Sequence, residues 1–315
     1  MKNLFMAVMA AAAMLCGCGG GGGRNAASAV ADVADSGQRV FRPATPPAML
    51  TPEQQAGYLN EHFWDTFDFA DTLFLAEADT MQMMTSFALY VQQFVPDSLA
   101  AESMSRLFEK AAVSKPMLEY FAMLAENVLH DPNSQFRNDE LYIPVLETVL
   151  ASDLLDKYER MPYEYDLEIA RQNRIGRKAN DFRYTLASDR SARMYDIRAD
   201  FLLLFISNPG CPMCRDVRER IKASKVLTDL VGQGRMKVLV IYPDADLKSW
   251  REHLQEYPES WINAYDYGCE ITKQRLYDLR AIPSLYLLDA DKRVLAKDCV
   301  DVAYIEDIVS SAAER

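Results

Sequence analysis

The chain has 315 residues, 50% of them hydrophobic, and its 46 acidic and 34 basic side chains leave a net charge of −12 at pH 7. That balance excludes the basic footprint that nucleic-acid binding requires and disfavours electrostatic docking on anionic lipid. The length predicts two domains, and the composition is that of a globular protein able to build full cores.

Lys2 precedes a short apolar stretch from Leu4 to Leu15, which suits a secretory signal and is too short to cross a bilayer as a helix. Leu15-Cys16-Gly17-Cys18 follows and resembles a bacterial lipoprotein box. Cys18 fits the acylated position better than Cys16, because small Gly17 stands before it and Leu15 lies three before. An ordinary signal peptide cut nearby is the alternative. The expectation is a signal peptide over 1–17 and a flexible tether over 18–49, running from Gly19–Gly23 to Pro43, Pro46 and Pro47.

Residues 50–175 are expected to form an all-α domain of five to seven antiparallel helices. Met84, Phe87, Val91 and Phe94 recur at helical spacing, as do Leu118, Phe121, Ala125 and Val128, and then Leu141, Val145 and Val149. Asp97 or Ser98 after Pro96 is expected to cap one helix. Ser114 before Lys115-Pro116 opens another, and Asp131-Pro132-Asn133 breaks it. Met81, Met83 and Met84 read as core fillers rather than a soft-metal site. Phe63, Trp64, Phe67 and Phe69 read as a hydrophobic anchor.

From Gly176 to the end the pattern becomes mixed α/β. Strands are expected at Phe182–Leu186, Phe201–Ile206, Met236–Tyr242, Trp261–Tyr265 and Ser284–Leu288, with a hairpin return at Val294–Ala296. Helical segments are expected after Cys214, at Leu247–Leu254, around Leu276 and Leu279, and at Ala303–Ala313. Strands alternating with helices describe a mixed sheet flanked by helices.

The informative motif is Cys211-Pro212-Met213-Cys214, between the buried strand 201–206 and a helix carrying Val217 and Ile221 on one face. Two thiols three positions apart in a helix's first turn lie close enough to form a disulfide. Free N–H groups and the dipole at a helix start favour negative charge. This is redox chemistry in outline.

The order of elements resembles the thioredoxin fold, over about Gly176 to Ser311. The resemblance rests on Gly176-Arg177-Lys178-Ala179 with Asp181-Phe182, on Cys211–Cys214 after a strand, on Ala281-Ile282-Pro283 about seventy residues later, and on Leu287-Leu288-Asp289. It points to the envelope thioredoxin-like (TlpA/ResA-type) proteins. The helical half, with Gln172-Asn173-Arg174 leading into Gly176, resembles uncharacterised helical domains that precede such modules. The resemblance implies that Cys211 is the exposed nucleophile and Cys214 the resolving thiol. It also implies that Pro283 follows a cis bond and that Ile282 offers its backbone to a substrate chain. Three residues depart from the pattern. Gly210 stands where tryptophan is common, Phe205 stands where thioredoxin has a buried acid, and Arg215 follows the second cysteine, where its charge would favour a thiolate unless, as preferred, it only occupies a solvated helix face.

Cys269 and Cys299 are expected, in that order of preference, to pair as a structural disulfide, to be free, or to supply an auxiliary redox thiol. A zinc site made of all four cysteines is disfavoured, because only one CxxC exists. His62, His130 and His253 read as ordinary surface or core histidines. No P-loop, HExxH, GxSxG or GxGxxG string occurs, and no cofactor or metal is called for. The expected function is a lipid-anchored thiol–disulfide oxidoreductase of the cell envelope, facing the periplasm. Its partners would be disulfide-bearing envelope proteins and a membrane or periplasmic redox partner. The alternative is a binding lipoprotein in which the same cysteines form a static staple.

Overall fold

Residues 39–313 are described by a computed structural model. The expected signal peptide, Cys16, Cys18 and the glycine run fall outside the described residues.

The first half is helical, with α1 (Pro52–His62), α2 (Phe74–Glu77), α3 (Thr80–Gln93), α4 (Ala100–Ala111), α5 (Lys115–Ala125), α6 (Asp139–Ala151) and α7 (Lys157–Ala170). Ser114 caps α5 by accepting the Met117 N–H at 3.4 Å, with Pro116 in the first turn. Asp97 and Ser98 do not cap a helix. Asp97–Leu99 forms a 3-10 turn, whose Asp97 carbonyl accepts the Ala100 N–H, so α4 starts with no side-chain cap. A π turn, Glu126–His130, extends α5 before the break at Asp131.

The expected apolar stripes meet in one core built around Phe63, Trp64, Phe87, Phe121, Leu146 and Val149. Met83 lies in it and Met84 packs against it, whereas Met81 is exposed. The tether expected over 18–49 gives way to fold by Arg39. Phe41 is buried and stacks on Trp64 with ring centroids 4.7 Å apart and planes 9° from parallel. An aromatic ring among prolines finds a better environment on Trp64 than in water.

The second half carries β1 (Arg183–Leu186), β2 (Ser191–Arg193), β3 (Phe201–Ile206), α8 (Pro212–Ala223), α9 (Lys225–Gly232), β4 (Met236–Tyr242), α10 (Leu247–Glu252), β5 (Ile262–Tyr265), α11 (Glu270–Lys273), β6 (Ser284–Asp289), β7 (Val294–Cys299) and α12 (Val302–Ala313). They form a seven-stranded sheet in the order β2-β1-β5-β4-β3-β6-β7. β3 is parallel to β4 and antiparallel to β6. Successive side chains of a strand face opposite sides. Phe201, Leu203 and Phe205 pack with Val217, Ile221 and Ile305, while Leu202, Leu204 and Ile206 pack with Phe182, Tyr277 and Tyr286. Coverage on both faces explains the unbroken apolar run.

Leu276 and Leu279 are not helical. The helix α11 stops at Lys273, Arg275 takes a left-handed φ of 51°, and the chain then runs irregularly to Pro283. The core of the helical half and the cores of the sheet have no residue in common, although Arg39 onward is one compact unit. Polar groups close the seam between them.

Candidate redox site

β3 ends at Ile206, and the Ser207 N–H still donates to the Ile241 carbonyl at 3.0 Å. Asn208-Pro209-Gly210 then turns the chain. Gly210 has φ 71°, a conformation other residues adopt only at a cost, which accounts for glycine where the family often has tryptophan. The turn delivers Cys211 to the N-cap of α8 with Pro212 behind it. The Cys211 Sγ accepts the Cys214 N–H at 3.3 Å. This otherwise unpaired helix donor faces the sulfur and compensates negative charge there.

Cys211 is half-buried, and Cys214 lies buried one turn along. The Cys214 Sγ accepts the Asn208 N–H at 3.5 Å. Burial raises the Cys214 thiol's pKa above its ordinary value, and the adjoining Cys211 sulfur adds to the effect.

The loop before β6 completes the site. The antiparallel register pairs Ile206 with Ser284, which brings Pro283 beside the end of β3. The Ile282–Pro283 bond is cis. The Cys211 thiol donates to the Ile282 carbonyl at 3.8 Å. Among the described residues, neither the N–H nor the C=O of Ile282 bonds to any other group. Cys211, Cys214, Ile282 and Pro283, four positions singled out in the sequence, therefore stand together. Phe205, six before Cys211, is fully buried and supplies no acid.

Three further residues shape the site. The Ser207 hydroxyl shares a 2.8 Å hydrogen bond with the Tyr257 phenol, which lines the cleft beside Cys214. Arg218 is buried, pairs with Glu256 and Glu219, and lies 5.2 Å from the centre of the Tyr257 ring. Tyr257, Arg218 and Glu256 line a cleft of about 120 Å³ with Arg215, Gly210 and both cysteines. Arg215 is exposed, as expected. Arg218 was legible in principle, because Cys214, Val217, Arg218 and Ile221 form the buried stripe of α8. Ser207 and Tyr257 left no signal in sequence, being fifty residues apart.

The expected disulfide between Cys269 and Cys299 is absent; both are free. Cys269 precedes α11 in a left-handed conformation, whereas Cys299 ends β7 and packs against the core under α8 and α12. Burial, reinforced by the Asp298 carboxylate, pushes the Cys299 thiol up to about 12. Among the described residues no group of three or more His, Cys, Asp or Glu side chains is arranged to hold a metal ion. His130 is a core histidine. It is buried, stacks on Tyr142 and faces Asp166 and Arg280 at the seam.

The chain is 40% identical to a thioredoxin-like protein from Bacteroides caccae, with a TM-score of 0.81 over 87% of this chain and 99% of that one. The chain belongs to that thioredoxin-like family. The C-terminal domain of an uncharacterized protein from Bacteroides fragilis is 43% identical over 44% of this chain and 98% of its own, with a TM-score of 0.43. The thioredoxin domain of a Bacteroides vulgatus thiol-disulfide oxidoreductase is 17% identical over 45% of this chain and 96% of its own, with a TM-score of 0.37. The helical part of this thioredoxin-like protein matches a family described as a domain of unknown function, DUF5106, over residues 24–173. No curated protein matches the chain.

Proposed function

We propose that this thioredoxin-like protein is a thiol–disulfide oxidoreductase of the cell envelope, held to a membrane by a lipid on Cys18. The observation that carries the reading is the accessible Cys211 sulfur, faced by the Cys214 N–H at 3.3 Å and the Ile282 carbonyl at 3.8 Å.

The Cys211 thiolate attacks one sulfur of a substrate disulfide. The substrate S–S bond breaks, a Cys211–substrate bond forms, and the first substrate thiolate leaves. Ile282 offers its backbone N–H and C=O to the incoming chain, as an added strand would use them. Cys214 then loses its proton and attacks Cys211 Sγ, which expels the second substrate thiolate and leaves a Cys211–Cys214 disulfide. Two electrons have passed to the substrate, and a dithiol redox partner of the envelope returns them. The same steps run backwards with a more oxidising partner.

The test is reduction of insulin by the full chain with dithiothreitol as donor. Activity is expected from the native protein and none from Cys211→Ser; normal activity in that variant overturns the reading. Cys214→Ser is expected to trap mixed disulfides, which names the partners.

A further inference from the structure

The segment that carries Ile282 to Cys211 is held from the helical half at several residues, beginning with Arg275, which pairs with Glu168 at 2.6 Å. The Leu276 carbonyl accepts the Asn173 side-chain amide at 2.7 Å. The Asp278 carboxylate accepts Arg137 Nη2 at 2.8 Å. Arg280 Nη2 lies 3.4 Å from His130 Nδ1 and binds Asp278 at 2.6 Å. Arg137 also pairs with Asp298, which accepts the hydroxyl of Ser284, the residue after Pro283. One guanidinium from the helical half thus holds carboxylates on both sides of the Ile282–Pro283 pair.

The side chains of Arg137, Asp278 and Asp298 are only 15%, 4% and 7% exposed. A buried ion pair is a weak source of net stability, and breaking one partner costs more than the pair contributes. Such a group is better suited to holding one geometry, because its charge-assisted hydrogen bonds are directional. The loop has no periodic structure of its own and no helix or strand to set its path between Gln274 and Ser284. The sheet half holds its start, where Asn180 also donates to the Leu276 carbonyl at 2.9 Å and the buried Tyr277 donates to the Asn180 carbonyl at 2.6 Å; the charged tethers of the helical half fix the stretch from Asp278 toward Ile282.

Resting on the exchange chemistry proposed above, we propose that the helical half positions the substrate-docking loop over Cys211, and that Arg137 is the positioning residue. The ligand class affected is the polypeptide disulfide, which needs both a sulfur to attack and a backbone to lie against. A small disulfide needs only the sulfur.

The experiment measures two substrates with the full chain, insulin and the small aromatic disulfide 5,5′-dithiobis(2-nitrobenzoate). Arg137→Met is expected to lower kcat/KM for insulin by about tenfold or more, through KM, while changing the small-disulfide rate by about twofold or less. Arg137→Lys, which keeps the charge, is expected to recover most of the loss. Glu147→Gln, which cuts the exposed pair with Arg171 inside the helical half and away from the loop, is expected to change neither rate. If Arg137→Met does not fold by circular dichroism, Arg280→Gln, at the more exposed end of the tether, carries the same comparison. An equal fall on both substrates, or no fall on insulin, overturns the proposal. Failure of the native protein on both substrates instead overturns the exchange chemistry beneath it.

Discussion

The Ser207 hydroxyl and the Tyr257 phenol share a 2.8 Å hydrogen bond beside the buried Cys214 sulfur. Phe205 occupies the place where thioredoxin keeps an acid, so this hydroxyl pair offers the Cys214 proton a route toward the cleft. Tyr257→Phe removes the outer hydroxyl and keeps the ring over which Arg218 lies. It is expected to slow resolution of a mixed disulfide by about tenfold or more, with alkylation of Cys211 unchanged. Quenched-flow measurement of mixed-disulfide lifetime checks this; an unaltered lifetime removes the pair from the proton path.

The same sulfur sets a pH dependence. Burial and the adjoining Cys211 sulfur raise the Cys214 pKa, so at neutral pH the thiol is the dominant form. Only the thiolate attacks. Resolution is therefore expected to quicken by about tenfold per pH unit from pH 6 to 9. A lifetime independent of pH over that range contradicts the assignment of Cys214 as the slow, buried thiol.

Gly210 gives a prediction about stability. A Cβ added there meets nothing within 4 Å, and its φ is 71°. The cost of substitution is thus backbone cost alone, about 1–2 kcal/mol for an L-residue in the left-handed region. Gly210→Ala and Gly210→Trp are expected to lower the unfolding free energy by similar amounts, read by urea denaturation. A much larger loss for tryptophan shows that the turn is not open.

Asp278 predicts acid behaviour. Burial opposes its ionisation, but the hydrogen bonds and charge of Arg280, with the charge of Arg137, outweigh burial and hold its pKa at about 2. A carboxylate whose pKa is lower folded than unfolded stabilises the fold above the unfolded value. That stability is lost as pH falls from about 4 through about 2. The shift is worth about 2 kcal/mol. Asp278→Asn is expected to be less stable than the native protein by at least that much at pH 6, with the gap closing toward pH 2. A constant gap across this range refutes an ionised Asp278.

Phe41 tests where folded structure begins. It is 4% exposed and stacked on Trp64. Phe41→Ala is expected to cost about 3 kcal/mol, the usual scale for losing a buried ring. A cost near zero returns residues 39–49 to the tether expected from their prolines.

Sequence reading reached β3, β4 and the β6–β7 hairpin because strands covered on both faces must be apolar throughout, and turns must break that run. Ser114 was legible because capping is a local bargain between one hydroxyl and one N–H. Local rules failed where distant groups decide. Nothing near Leu276 says that Asn173 holds its carbonyl, so a helical spacing of leucines was mistaken for a helix. Arg218 is charged, yet its place on the buried stripe with Val217 and Ile221 points inward. Arg137 and Asp278 are 141 positions apart, and no period connects them.

The two halves keep their apolar cores apart and meet through charges, amides and carbonyls. Groups of that kind hydrate readily once separated. A protease nick within Gln172–Gly176 would therefore leave two fragments that remain in solution. Their reunion would weaken as added salt screens the joint, so ionic strength would act as a handle on how firmly one half grips the other.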